Sequence, residues 1–254
     1  SAALLGSDRH EAKPGPIGAF APFASEGYHL NQPDGLSKLP SSGDEISGLK
    51  GDILKDGAAL KKTFLDKANH YDIIHLATHA SVDNTTPLRS YIAFSPAVPD
   101  FRLYASEIYN LKLDSTRLII LSACETGDGR LVKGEGLMSL SRAFAYAGCP
   151  NIITSLWKAE DKTTTFLTGR LHHYLEKGLT RDKALQQAKL DLLKSNDIDP
   201  RLKTPNYWAH LLFIGNYEPD YHRSNWWWIG LFIIIATAGY LYIKMKSRRS
   251  DKIA

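Results

Sequence analysis

Cysteine is scarce in this chain, with only Cys124 and Cys149 among 254 residues. Two cysteines make no disulfide framework, and a chain of this length can bury a core large enough to hold a domain together. Unbalanced charge is scarce too. The formal net charge of +4 is accounted for by residues 244–254, where Lys244, Lys246, Arg248, Arg249 and Lys252 stand against Asp251. Residues 1–243 are formally neutral, which argues against a nucleic-acid surface. Phosphate signatures are missing: Gly127-x-Gly129 has no third glycine at the dinucleotide offset, and Gly-x-x-x-x-Gly-Lys-Ser/Thr does not occur. The serine-hydrolase elbow Gly-x-Ser-x-Gly is absent. No internal repeat and no signal peptide are visible. The chain begins at Ser1 rather than methionine and is expected to be a segment of a longer protein.

What the sequence does contain is two apolar runs that each end in a side chain with catalytic chemistry. Tyr71-Asp72-Ile73-Ile74-His75-Leu76-Ala77-Thr78-His79 stops at a histidine. Arg117-Leu118-Ile119-Ile120-Leu121-Ser122-Ala123-Cys124 stops at a cysteine. Both are short, β-branched and bounded by polar or glycine-rich turns, as fully buried strands are. In an open parallel sheet, chemistry gathers at the carboxyl ends of the strands. As neighbours, the two strands would bring His79 and Cys124 to one rim, and an imidazole beside a thiol is the minimal equipment for thiolate catalysis. Gly127, Gly129, Gly134 and Gly136 follow Cys124. Such a loop lets a substrate backbone come close, and its N–H groups can hold an oxyanion. The blander alternatives are a structural histidine and a small buried thiol.

Other candidates carry less. His75 and His79 do not make a zinc pair, because four strand residues span about 13 Å; His75 is expected to be a core histidine. His172 and His173 fall on a helix and are expected to be solvated. Cys149, where a helix ends and a strand begins, reads as a small buried filler. Asp161 lies just past the carboxyl end of the strand Asn151–Trp157, and so at the same rim. It is either a helix-start carboxylate favoured by the dipole or an acid that binds a basic substrate side chain.

The rest of the chain alternates strands with helices. Strands are expected near residues 17, 52, 73, 118, 152 and 209, with that near 52 at an edge and a further short one over Ser90–Phe94. Helices are expected over 42–49, 57–69 with Asp56 as its cap, 106–111, 135–147 ended by Gly148, 161–177 ended by Gly178, and 181–194 with Thr180 as N-cap. That order implies an α/β fold with a mostly parallel six-stranded sheet flanked by helices.

Trp226–Ile243 is 18 residues without a charge. As a helix it spans roughly 27 Å, near the thickness of a bilayer core. Three tryptophans mark one end, Tyr240 and Tyr242 the other, and the basic cluster follows, so the segment reads as a C-terminal transmembrane helix rather than a core helix. The expected organisation is a lead-in over 1–16, a domain over 17–218, a linker over 219–225, a membrane span over 226–243 and a basic cytoplasmic tail over 244–254. The basic tail prefers the cytoplasm, which puts the domain on the non-cytoplasmic side of a bacterial-type cell membrane.

Six stretches together resemble the CHAT domain, a caspase-like cysteine peptidase family often joined to tetratricopeptide repeats. They are Ile74–Ala80, Leu121–Gly127, Gly134-Glu135-Gly136, Ala143–Gly148, Ser155-Leu156-Trp157 with Asp161, and Tyr207-Trp208-Ala209. The resemblance spans about residues 15–218. It implies a caspase-like fold, a catalytic dyad of His79 and Cys124, and an oxyanion hole from the backbone N–H groups of Cys124 and Ala80. Many relatives have glycine where Ala80 stands, which matters if that position needs a positive φ. The 45-residue separation of His79 and Cys124 resembles the caspase spacing. The resemblance further implies a protein or peptide substrate, no cofactor or metal, and upstream tetratricopeptide repeats. The function expected is a membrane-anchored cysteine endopeptidase controlled by partners or by the upstream region. The alternative is a catalytically silent caspase-like scaffold at the membrane.

Overall fold

The computed structural model describes residues 14–25, 36–83, 85–125, 135–157 and 161–216, together with Thr237. Residues 1–217 form one compact unit and 218–254 a second. The glycine-rich loop 126–134 and, Thr237 apart, the expected linker, membrane span and basic tail lie outside the described residues. Among the described residues no helix is long and apolar enough to cross a membrane.

Among the described residues, eight strands make one sheet: β1 (Ile17–Ala21), β2 (Asp52–Lys55), β3 (Ile73–Ser81), β4 (Tyr91–Ala93), β5 (Arg102–Tyr104), β6 (Leu118–Glu125), β7 (Ile152–Ser155) and β8 (Leu211–Ile214). Six of them form the main path, in the order β2-β1-β3-β6-β7-β8, and they are the six expected from the apolar runs. All neighbours on that path are parallel except β7 and β8. The edge place expected for residues 52–55 is the place β2 holds. Off the path, β4 pairs antiparallel with the end of β3, and β5 with β4.

The described helices that cover the sheet are α1 (Pro40–Ser47), α2 (Lys61–Lys67), α3 (Ala105–Ile108), α4 (Glu135–Tyr146), α5 (Asp161–Glu176) and α6 (Arg181–Lys194). Strand side chains alternate between faces, so an apolar run with both faces covered feeds two cores. Ile74, Leu76, Ile119 and Leu121 join Phe64, Ile108, Leu140 and Phe144 on one side. Ile73, Leu118, Ile120 and Ile153 join Leu167, Leu171, Ala188 and Leu192 of α5 and α6 on the other. In the first core, Phe20, Phe64 and Phe94 meet at ring-centre distances of 5.8, 5.9 and 5.1 Å.

Several boundaries differ from expectation. The helix expected over 57–69 is broken: residues 56–58 and 68–70 are single 3-10 turns, and only Lys61–Lys67 is α-helical. Asp56 does not cap it. Its φ is +48°, and its carboxylate accepts hydrogen bonds from the Ser25 backbone N–H (2.8 Å) and hydroxyl (2.5 Å). Thr180 does occupy the N-cap position of α6, but its hydroxyl donates to Asp182 at 2.6 Å instead of accepting from the helix. Trp208–His210, expected in the last strand, form a turn before β8. β5 was not legible at three residues. Gly148 and Gly178 end α4 and α5 with φ of +109° and +80°, a region open to glycine.

Candidate active site

Strands β3 and β6 run side by side from the pair Ile73/Leu118 to the pair Ala80/Glu125, and within that register His79 stands opposite Cys124. Adjacent strands lie about 4.8 Å apart, so the two backbones are held at that spacing by the ladder itself. His79 is buried. Its Nε2 lies 2.6 Å from the carbonyl oxygen of Ser37, and the Phe23 ring meets the imidazole edge-on at 4.8 Å. A carbonyl oxygen only accepts, so Nε2 carries the hydrogen and Nδ1 of the neutral ring keeps the basic lone pair. The Ser37 carbonyl thereby selects the tautomer.

Both strands run past their expected ends, to Ser81 and Glu125. Ala80 sits within β3, opposite Glu125 on β6 and Ile92 on β4. Among the described residues other than glycine, only Asp56 has a positive φ. Ala80 is therefore in a conformation that an alanine adopts without strain, and the backbone there does not require glycine.

Beside this rim lies a cleft with about 420 Å³ of open space. Leu39, Ser41, Ser42 and Glu45 line it from α1 and its lead-in, Thr78 and Ser122 from β3 and β6, and Asp161 and Thr164 from α5. Asp161 is exposed in the first turn of α5 and accepts a hydrogen bond from the Ser41 hydroxyl at 2.9 Å. Its helix-start position and its place on the cleft coexist. Among the described residues the lining holds two carboxylates and several hydroxyls but no basic side chain, a composition that suits a cationic group.

Beneath the cleft is a buried polar cluster that the sequence reading missed. His75 is a fully buried core histidine, as expected, but it is not alone. Its Nε2 lies 2.9 Å from Glu45 Oε1, and its Nδ1 lies 3.0 Å from Nε2 of His172. The other oxygen of Glu45 accepts from the Ser122 hydroxyl at 3.1 Å. His172, expected to be solvated, is buried at 3% exposure. Position could have marked both side chains as inward-facing. His172 shares a helical stripe with Thr168 and Leu175, and Glu45 shares one with Ser42 and Leu49. Burial, then the neighbouring His75, holds the His172 pKa well below its ordinary value.

The remaining histidine and cysteine of interest are also buried. His210 lies 3.4 Å from the Thr164 hydroxyl, and burial followed by the nearby Lys189 lowers its pKa to about 4. Cys149 is the expected buried filler. Its thiol donates to the Asn151 carbonyl at 3.4 Å, and burial pushes its pKa up to about 11. Among the described residues, no group of three or more His, Cys, Asp or Glu side chains is arranged to hold a metal ion.

A model of the CHAT domain matches residues 31–216. Mouse tetratricopeptide repeat protein 28 is 27% identical over 125 residues, covering 49% of this chain and 5% of that protein. The human protein of the same name is 25% identical over 125 residues, with the same coverage. The chain thus spans a small fraction of the length of the curated relatives it matches. Among solved structures, that of the Arg-specific cysteine proteinase gingipain R superposes with a TM-score of 0.44 at 15% identity, covering 79% of this chain and 45% of that one. The complex of the pro- and mature domains of RgpB from Porphyromonas gingivalis gives 0.46 at 14% identity, with 79% and 46% covered.

Proposed function

The chain belongs to the CHAT domain family, and on that premise we propose that it is a caspase-like cysteine endopeptidase working through His79 and Cys124. The observation that carries the reading is the register of β3 and β6, in which His79 faces Cys124 across one ladder while the Ser37 carbonyl holds its Nε2 hydrogen. In this reading His79 Nδ1 takes the thiol proton and the Cys124 sulfur attacks the scissile carbonyl. A C–S bond forms as the C–N bond breaks, and the imidazolium gives its proton to the leaving amine. Water, deprotonated by the same nitrogen, then attacks the thioester: a C–O bond forms as the C–S bond breaks, and the imidazolium returns its proton to the sulfur. The backbone N–H groups of Cys124 and Ala80 hold the oxyanion. Asp161, on an acid- and hydroxyl-lined cleft beside the rim, receives a basic side chain of the substrate.

Outside the described residues, the apolar segment 226–243 anchors the domain to a membrane with the basic tail in the cytoplasm. Upstream tetratricopeptide repeats, the feature that gives the curated relatives their name, control access to the site. Digestion by external protease of a tag placed after Ala254, on intact cells, would reverse the topology.

Alkylation with iodoacetamide tests the peptidase reading. Cys124 should react far faster than Cys149 in the native protein, because Cys149 is buried with a raised pKa. His79→Ala should slow Cys124 alkylation and peptide cleavage, the latter by about 10²- to 10⁴-fold. Equal rates for the two cysteines, unchanged by His79→Ala, would leave a non-catalytic scaffold.

A further inference from the structure

Glu45 is 8% exposed, and a carboxylate so enclosed needs partners for its charge. Its partners sit on the two strands that carry the dyad. His75 is four residues before His79 on β3, and Ser122 is two residues before Cys124 on β6. The carboxylate therefore bridges the two strands just beneath the His79/Cys124 pair. It also belongs to α1, whose lead-in supplies the Ser37 carbonyl that binds His79.

The apolar seat of α1 is built largely from small side chains. Ile46 packs against Ala19, Ala21 and Ala77, with Ala24, Leu49 and Ile53 partly buried around them. The α1 N-cap, Leu39, makes no side-chain cap bond; its backbone N–H is tied to the Phe23 carbonyl at 2.8 Å. To that seat the polar bridge adds a tie to the two strands that carry the dyad.

With His75 neutral, the hydrogen bonds of the cluster fit one arrangement. The Glu45 carboxylate requires the hydrogen on His75 Nε2, which leaves His75 Nδ1 as an acceptor. His172 must then donate from its own Nε2, and its Nδ1 carries no hydrogen. That Nδ1 is the atom of the pair that has no partner among the described residues. An imidazole nitrogen without a hydrogen is the one such a buried ring leaves bare at least penalty. His172 thus holds His75, and His75 holds Glu45.

We propose that Glu45, oriented by the His75–His172 pair, is a positioning residue that seats the Ser37 carbonyl over His79 and so fixes the imidazole toward Cys124. The inference rests on the peptidase reading and adds a residue to it that touches neither substrate nor sulfur. The test measures iodoacetamide alkylation of Cys124 against pH, in the folded 254-residue chain. Glu45→Ala should raise the pH midpoint of alkylation by about one unit, because a misplaced imidazolium no longer stabilises the thiolate. Turnover of a cleaved peptide should fall about 10- to 100-fold, mostly in kcat, as a displaced catalytic group implies.

Glu45→Gln should restore both readouts, since its amide can accept from His75 and donate to the Ser122 hydroxyl. A loss of stability alone would not move the midpoint of the folded fraction. Ser122→Ala removes only the β6 arm with little change in volume and serves where Glu45→Ala does not fold. It should raise the midpoint in the same direction by a smaller amount. A fast Cys124 in the wild type with an unmoved midpoint in the folded variants overturns the role of Glu45 alone. A wild-type Cys124 no faster than Cys149 overturns the peptidase reading and this inference together.

Discussion

Lowering the pH from 7.5 to 5 is expected to remove about 2 kcal/mol of stability through His210 alone. The ring is fully buried, and burial together with Lys189 holds its pKa at about 4 against an ordinary value near 6.5. Between those values the unfolded chain binds a proton that the folded chain refuses. Stability from this group is therefore complete above about pH 6.5 and is lost as the pH falls toward 4. His172, pushed down by burial and by His75, acts in the same direction. The carboxylates with lowered pKa values, among them Asp52, Asp191 and Asp199, stay ionised in both states across most of this window and act only at lower pH. The assay is urea unfolding at pH 7.5 and pH 5 for the wild type and His210→Gln. The variant should lose about 2 kcal/mol less than the wild type on acidification. Because β8 follows His210 directly, and the His210 carbonyl accepts from the Leu156 N–H at 2.9 Å, acid should loosen the β7–β8 end of the sheet first. Equal losses in the two proteins would refute the assignment of the acid limb to this buried ring.

Two further outcomes follow from the structure. Gly148→Ala should destabilise the chain by about 1–3 kcal/mol, seen as a lower Tm. The residue has a φ of +109°, and a Cβ there would fall 2.6 Å from Asp114 Oδ1 and 3.1 Å from the Asp114 nitrogen. Asp161→Asn should raise KM about tenfold for peptides with arginine or lysine at the cleavage site, from loss of a charged hydrogen bond. Peptides with neutral residues there should be cut unchanged, and an equal loss for both classes would remove Asp161 from substrate recognition.

The apolar strands were legible because each is a contiguous run whose two faces are both covered. Ile73, Ile74, Leu76 and Leu118–Leu121 needed no knowledge of their partners to be placed in a sheet. Short elements were not legible. The three residues of β5 are held by pairing with β4, and Asp56 is drawn away from a capping role by a bond to Ser25, distant in sequence. His172 was misplaced for a related reason. A histidine on a helix reads as polar, and only a second buried polar group opposite it makes burial tolerable.

From the sequence alone came the alternation of strands and helices, the two strand-end residues His79 and Cys124, and the residue types that could act there. Those depend on local patterns of apolar and polar residues, which one chain carries in itself. Tertiary structure alone decided that β3 and β6 are neighbours, that their register pairs His79 with Cys124, and that the Ser37 carbonyl fixes the imidazole tautomer. It alone joined Glu45, His75, Ser122 and His172 into one buried cluster. Such contacts are set by how α1 and α5 settle on the sheet, and no spacing within a single element encodes them.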